Sequence, residues 1–168
     1  TVPGAIDGWA RLLEDHGTMP FERVLAPAIE LAERGYVVTP RVATDWARNV
    51  GKLGANAGAR KNLLKNGAAP RAGEIMKLPA LAKTLSAIAR QGRDGFYAGA
   101  VAKDMVAELK ALGGLHTLED FAAQRATYVT PISVSFRGME LCELPPSNQG
   151  IVALIMLKML ERMGKPPA

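Results

Sequence analysis

The sequence predicts an α+β fold, a mostly helical chain with a C-terminal β-hairpin followed by one more helix. Three observations carry this expectation. Over residues 1–126, apolar residues recur at helical spacing, with proline near segment starts and glycine after segment ends. Between Thr130 and Pro145 the pattern changes to alternation of apolar and polar residues. From Gly150 onward it becomes an apolar helical run with little polar face.

Each element follows in order. "VPGAIDGWARLLEDHG" places Ile6, Trp9, Leu12 and Leu13 on one helical face, with Pro3 in the first turn and Gly17 as the stop. "MPFERVLAPAIELAERG" opens at Pro20, carries the stripe Val24, Leu25, Ala28, Ile29 and Ala32, and closes at Gly35. Pro27 inside it is expected to bend or divide the helix, because proline lacks the amide donor. "YVVTP" is a short extended piece, after which Thr39 caps a helix with Pro40 in its first turn, running to about Val50. Residues 51–78 are the least regular, with a short helix expected over "KNLLKNG" and a loop over "APRAGEIMKLP". "LPALAKTLSAIARQG" is a helix with Leu81, Leu85 and Ile88 on one face and Gly92 at its end. "RDGFYAG" is a turn that buries Phe96 and Tyr97, and the helix after it points Val101, Met105, Val106, Leu109 and Leu112 inward. Thr117 with Asp120 three places on caps the next helix.

The hairpin sets Ile132, Val134 and Phe136 on one face, turns at "RG", and returns through Leu141. In the last helix Ile151, Leu154, Ile155 and Met159 leave few positions for water, so it is expected to be buried on most sides. A chain of 168 residues has little left to cover it. The organisation expected is a helical region, 1–126, followed by 127–168 with the hairpin, the "PPSNQG" loop and that buried helix. The start at "TVPGAIDGW" without Met and the end at "GKPPA" are expected to be cuts within something longer.

Composition narrows the function classes. Hydrophobic residues make up 48% and charged residues 22%, a globular balance that argues against disorder. The net charge of +5 is mildly basic, with Lys and Arg read as spread along the chain and Lys61 and Lys65 nearest to a patch. Aromatics are 5% and do not interleave with basic residues, so nucleic acid is not the expected partner. No signal peptide opens the chain and no apolar run reaches spanning length, which leaves the compartment open. Cys142 is the lone cysteine and reads as a small strand hydrophobe.

Chemistry-bearing motifs are sparse. His16 and His116 have no second ligand at metal spacing, so no metal site is expected. The pairs Glu14–Asp15 and Glu119–Asp120 sit at helix ends, where capping and solvation explain them, and Glu140 with Glu143 lies in the hairpin. Thr1 could act as an N-terminal nucleophile through its own amine, but the helix opening right behind it favours a cut site. The candidate site is Ser147, Asn148, Gln149 and Gly150. Pro145 and Pro146 hold the approach extended, Ser147 or Asn148 can cap the next helix, and Gly150 allows close backbone approach. Exposed amides there could hold a carboxylate. On the residues alone, capping outweighs ligand contact, and a helical interaction module stands beside an enzyme part.

Four stretches, in order and over nearly the whole chain, resemble the large subunit of γ-glutamyltranspeptidases: "VPGAIDGW…HGTMPFERVLAPAIELAERGYVV", "GFYAGAVAKDM", "GGLHTLEDFAAQ…TPISVSFRG" and "LPPSNQGIVALIMLKMLE". The resemblance implies a central and C-terminal part of that subunit, within an αββα N-terminal-nucleophile sandwich. It implies a precursor that cleaves itself, and a small subunit whose new N-terminal threonine attacks an amide-linked acyl group such as γ-glutamyl. The partners implied are that small subunit and a small-molecule γ-glutamyl or amide substrate. No metal or organic cofactor is implied, and no catalytic residue of the family falls in this chain. Where typical transpeptidases have Pro-Ser-Ser-Gly-Gly, this chain has Pro146-Ser147-Asn148-Gln149-Gly150. That ending is closer to the transpeptidase-like branch of oxamate amidohydrolases and cephalosporin acylases.

Overall fold

The computed structural model describes residues 1–164, and the 165–168 end of the sequence lies outside them. The chain divides into two units, Thr1–Ala126 and a second that begins at Thr127. The first holds α1 (Ala5–His16), α2 (Phe21–Arg34), β1 (Tyr36–Val37), α3 (Pro40–Arg48), α4 (Val50–Ala55), α5 (Ala57–Leu63), β2 (Ile75–Met76), α6 (Pro79–Gln91), α7 (Asp94–Tyr97), α8 (Ala100–Ala111) and α9 (Leu118–Ala123). The second holds β3 (Ile132–Phe136), β4 (Met139–Glu143) and α10 (Gly150–Met163). This is the mixed, mostly helical architecture expected, with two small antiparallel strand pairs.

Local chemistry explains the boundaries. Thr39 Oγ1 accepts the Val42 amide at 3.5 Å with Pro40 at the first helical position. Thr117 and Asp120 form a full capping box, each side chain accepting the other's backbone amide. The α2 helix runs unbroken through Pro27, so the proline does not divide it. Pro27 is exposed, so the carbonyl it leaves without an amide donor can turn to water. The helix expected to reach Val50 stops at Arg48, where the Asn49 side chain donates to the Asp45 carbonyl at 2.8 Å. Asn56 caps α5 through Ala59 at 2.8 Å, so the short helix begins earlier than "KNLLKNG" suggested. The expected loop over "EIMK" contains β2, which pairs with β1 through Tyr36↔Met76 and Val37↔Ile75. Two residues are too short to show a period.

The core of the first unit gathers Ile6, Leu25, Ile88, Tyr97, Ala102, Val106 and Phe121. Within it Asp7 is only 5% exposed. Its carboxylate pairs with the Arg93 guanidinium and accepts the Ala126 amide. Arg93 also donates to the carbonyls of Ala122 and Gln124 and lies over the Tyr97 ring, 4.8 Å from its centroid. The Tyr97 hydroxyl donates to the Pro3 carbonyl at 2.6 Å and accepts the Asp7 amide at 3.2 Å. Burial pushes the Tyr97 phenol above its ordinary value, which keeps it a neutral donor. Leu112, expected inward, and several residues grouped on expected apolar faces lie outward. Trp9, Leu12, Val24 and Leu81 are exposed, and Leu112 is 68% exposed because α8 ends just before it.

In the second unit Arg137 and Gly138, with φ of 49° and 81°, form the two-residue turn that matches strand twist. The register pairs Ile132↔Glu143, Val134↔Leu141 and Phe136↔Met139 on one face, against which α10 packs. The burial expected for α10 is not met within the described residues, where Leu154 alone is buried. Val152, Ile155, Met156, Met159, Leu160 and Met163 are each at least half exposed.

Two outcomes follow. Asp7→Ala is expected to cost about 3 kcal/mol, because it strands a largely buried guanidinium. Asp7→Ala/Arg93→Ala should cost less than the two single losses summed, and strict additivity in denaturant unfolding would refute the coupling. The Thr117 backbone and hydroxyl bonds hold Asp120 below the ordinary carboxylate value. A depressed folded value means that the box stabilises at neutral pH and that this help fades as acid protonates Asp120. Thr117→Ala should therefore lower Tm at pH 7 more than at pH 3, and an equal drop at both would contradict it.

Candidate functional site

The candidate residues occupy the loop between β4 and the start of α10. Ser147, Asn148 and Gln149 are exposed, and Gly150 is half-buried. The loop folds on itself through the Asn148 amide, which donates to the Pro145 carbonyl at 3.2 Å. A cis peptide bond joins Pro146 and Ser147. The α10 helix has Gln149 at its N-cap and no side-chain cap bond, so neither Ser147 nor Asn148 caps it, and Asn148 instead closes a turn just before the helix. Its Oδ1 accepts the Gly150 amide at 3.1 Å, while Val152 donates to the Gln149 carbonyl at 2.9 Å. The first helical amide is thus taken by the chain's own side chain rather than open to a ligand.

Gly150 allows the close approach expected of it, and the neighbour is Glu143. A β-carbon at position 150 would fall 2.8 Å from the Glu143 Cβ and Cδ, closer than carbon atoms tolerate. Glu143 shares a face with Ile132 by strand register, and that face carries α10. Its carboxylate therefore lies beside the helix start, where the partial positive charge of the amides favours an anion. Glu140 points the other way by strand alternation and accepts the Ser133 hydroxyl at 2.6 Å. The structure thus separates Glu140 from Glu143, and it brings Glu143 to the loop, a neighbour that only the hairpin register reveals.

The remaining chemistry-bearing residues lie elsewhere. Asp15 pairs with Arg11 at 2.7 Å, and Asp120 belongs to the capping box. His116 packs edge-on against Phe121 with ring centroids 6.4 Å apart. Among the described residues no three His, Cys, Asp or Glu side chains group as metal ligands. No helix among them is long and apolar enough to cross a membrane.

A mostly helical α+β chain, whose hairpin feeds a loop and an apolar helix, defines the class of structure. The γ-glutamyltranspeptidase family model matches residues 1–167, and the chain belongs to that family. It is 33% identical over 161 residues to a glutathione hydrolase-like proenzyme of Bacillus subtilis, covering 96% of this chain and 31% of the relative. It is 35% identical over 168 residues to an oxamate amidohydrolase proenzyme of Klebsiella pneumoniae, covering 97% of this chain and 32% of the relative. The cephalosporin acylase structure from Bacillus halodurans superposes with a TM-score of 0.88 at 37% identity, over 96% of this chain and 31% of that one. The chain spans about a third of the length of the curated relatives it matches.

The loop geometry makes a direct forecast. Gly150→Ala should lower Tm by driving its methyl into Glu143, and Gly150→Ala combined with Glu143→Gly, which removes the clashing Cβ and carboxyl, should recover part of the loss. Equal Tm values for wild type and Gly150→Ala would show that the helix start is not confined by Glu143.

Proposed function

We propose that this chain is the central and C-terminal part of the large subunit of a γ-glutamyltranspeptidase-like N-terminal-nucleophile hydrolase. The observation that carries the reading is the family match from residue 1 to 167 at about a third of the relatives' length. The uncovered α10 supports it. Six apolar side chains at least half exposed on one helix need cover from polypeptide beyond this chain. In the parent, the hairpin and α10 contribute to one side of an αββα sandwich completed by the small subunit of the same precursor.

In this reading the attacking group is the hydroxyl of the small subunit's N-terminal threonine, and its own amine takes up the proton. The hydroxyl adds to the amide carbonyl, the C–N bond breaks, the amine leaves protonated, and an acyl ester remains. Water or a second amine then takes the acyl group and restores the hydroxyl. No catalytic residue is assigned to this chain. Ser147, Asn148, Gln149 and Gly150 form part of the pocket wall, with the loop held by Asn148 and by Gly150 against Glu143. The Asn-Gln-Gly ending, and the likeness to an oxamate amidohydrolase and a cephalosporin acylase, support amide hydrolysis of a non-glutamyl acyl group as the alternative to γ-glutamyl transfer.

The test is a substrate panel on the full-length protein: γ-glutamyl-p-nitroanilide, oxamate and an acylated β-lactam. Self-cleavage into two chains with turnover of one of them is the expected result, and an uncleaved, inactive protein would defeat the proposal. Residues 1–168 alone should not turn over γ-glutamyl-p-nitroanilide. Gln149→Ala should lower kcat/KM for the preferred substrate by about tenfold at unchanged Tm, the scale of one lost polar contact.

A further inference from the structure

The β1–β2 ladder closes the base of an excursion, residues 38–74. Val38 donates to the Glu74 carbonyl, and Gly73 to the Val38 carbonyl, both at 2.8 Å. The excursion contains α3, α4 and α5, and none of the three buries a residue. It carries seven Lys and Arg against two carboxylates, Asp45 and Glu74, a balance of +5 that equals the net charge of the whole chain. The other residues carry fourteen charges of each sign. Lys and Arg therefore outnumber carboxylates by five in this excursion, while the other residues balance when taken together.

Part of this charge is internally engaged. Arg41 pairs with Asp45 at 2.7 Å, Lys65 with Glu74 at 3.1 Å, and Arg60 donates to the Gly54 carbonyl at 2.6 Å. Lys65 also holds the Glu74 carboxyl below its ordinary value. Arg48 reaches Asp45 only at 4.0 Å. Lys52, Lys61 and Arg71 are exposed and form no ion pair among the described residues. The sole large apolar side chain exposed in the excursion is Val42, and the indole nitrogen of Trp46 is buried.

We propose that this excursion is a peripheral docking surface for anionic lipid headgroups. Exposed cations at Lys52 on α4, Lys61 on α5 and Arg71 in the loop before β2 match a broad surface of laterally mobile charge. A nucleic acid would instead be met by exposed stacking aromatics, and none is exposed here. Without an apolar wedge to insert, attachment is electrostatic, reversible and screened by salt.

The experiment is co-sedimentation of the full-length protein with vesicles of phosphatidylcholine alone or with phosphatidylglycerol added, over a salt series. Binding to the anionic vesicles only, fading as salt rises, is expected. Lys52→Glu/Lys61→Glu/Arg71→Glu should lower partitioning by roughly tenfold or more with Tm unchanged. The milder Lys52→Gln/Lys61→Gln/Arg71→Gln should show a smaller loss and serves if the reversal variant misfolds. Equal binding to neutral vesicles, no binding at low salt, or undiminished binding by both variants would overturn the proposal. So would retention on DNA or heparin without vesicle binding, which would assign the surface to a soluble polyanion.

Discussion

The first unit depends on one buried ion pair. Asp7 lies at the start of α1, and Arg93 lies 86 positions away at the start of α7. A carboxylate and a guanidinium withdrawn from water are costly unless every lone pair and proton finds a partner. Here they do so by reaching outside the pair. Asp7 also takes the Ala126 amide, Arg93 the carbonyls of Ala122 and Gln124, and Tyr97 ties the Asp7 backbone to Pro3. The two ends of the unit's chain are thereby drawn to one point, and the apolar core of Ile88, Val106 and Phe121 packs around a fixed centre. Apolar burial supplies the larger driving force but has no direction. The ion pair selects which helices meet.

Much of this fold was legible because proline, glycine and threonine mark helix ends through local chemistry. Thr39 and Thr117 cap where expected, and the Arg137–Gly138 turn forms the hairpin. What escaped was non-local. The β1–β2 pairing rests on two-residue strands nearly forty positions apart, and neither shows a period. Asp7 looks like any acid in a first helical turn until Arg93 arrives beside it. Periodicity at Trp9, Leu12 and Leu112 marks apolar faces correctly, yet it cannot say whether the same chain covers them. The candidate loop was readable as a turn, closed by the Asn148 side chain on the Gly150 amide. Its Glu143 neighbour was not, because that contact depends on the register of a hairpin formed first.

The second unit shows the same limit in a sharper form. The α10 helix is apolar nearly all round, a pattern that belongs in an interior. The hairpin supplies one covered face, and Leu154 occupies it. The rest of the helix is exposed among the described residues. Membership of the γ-glutamyltranspeptidase family gives this exposure a physical sense, since the relatives are about three times as long as this chain.

The junction of Glu143 with Gly150 has a further consequence for how such proteins diversify. Both ends of the loop are anchored, one by a strand and the other by a helix that tolerates no added β-carbon at its first residue. Changing the number of residues between these anchors would break the junction. Exchanging the side chains at 147 and 149 leaves it intact. Side-chain chemistry on this stretch can therefore change by replacing letters within a constant frame.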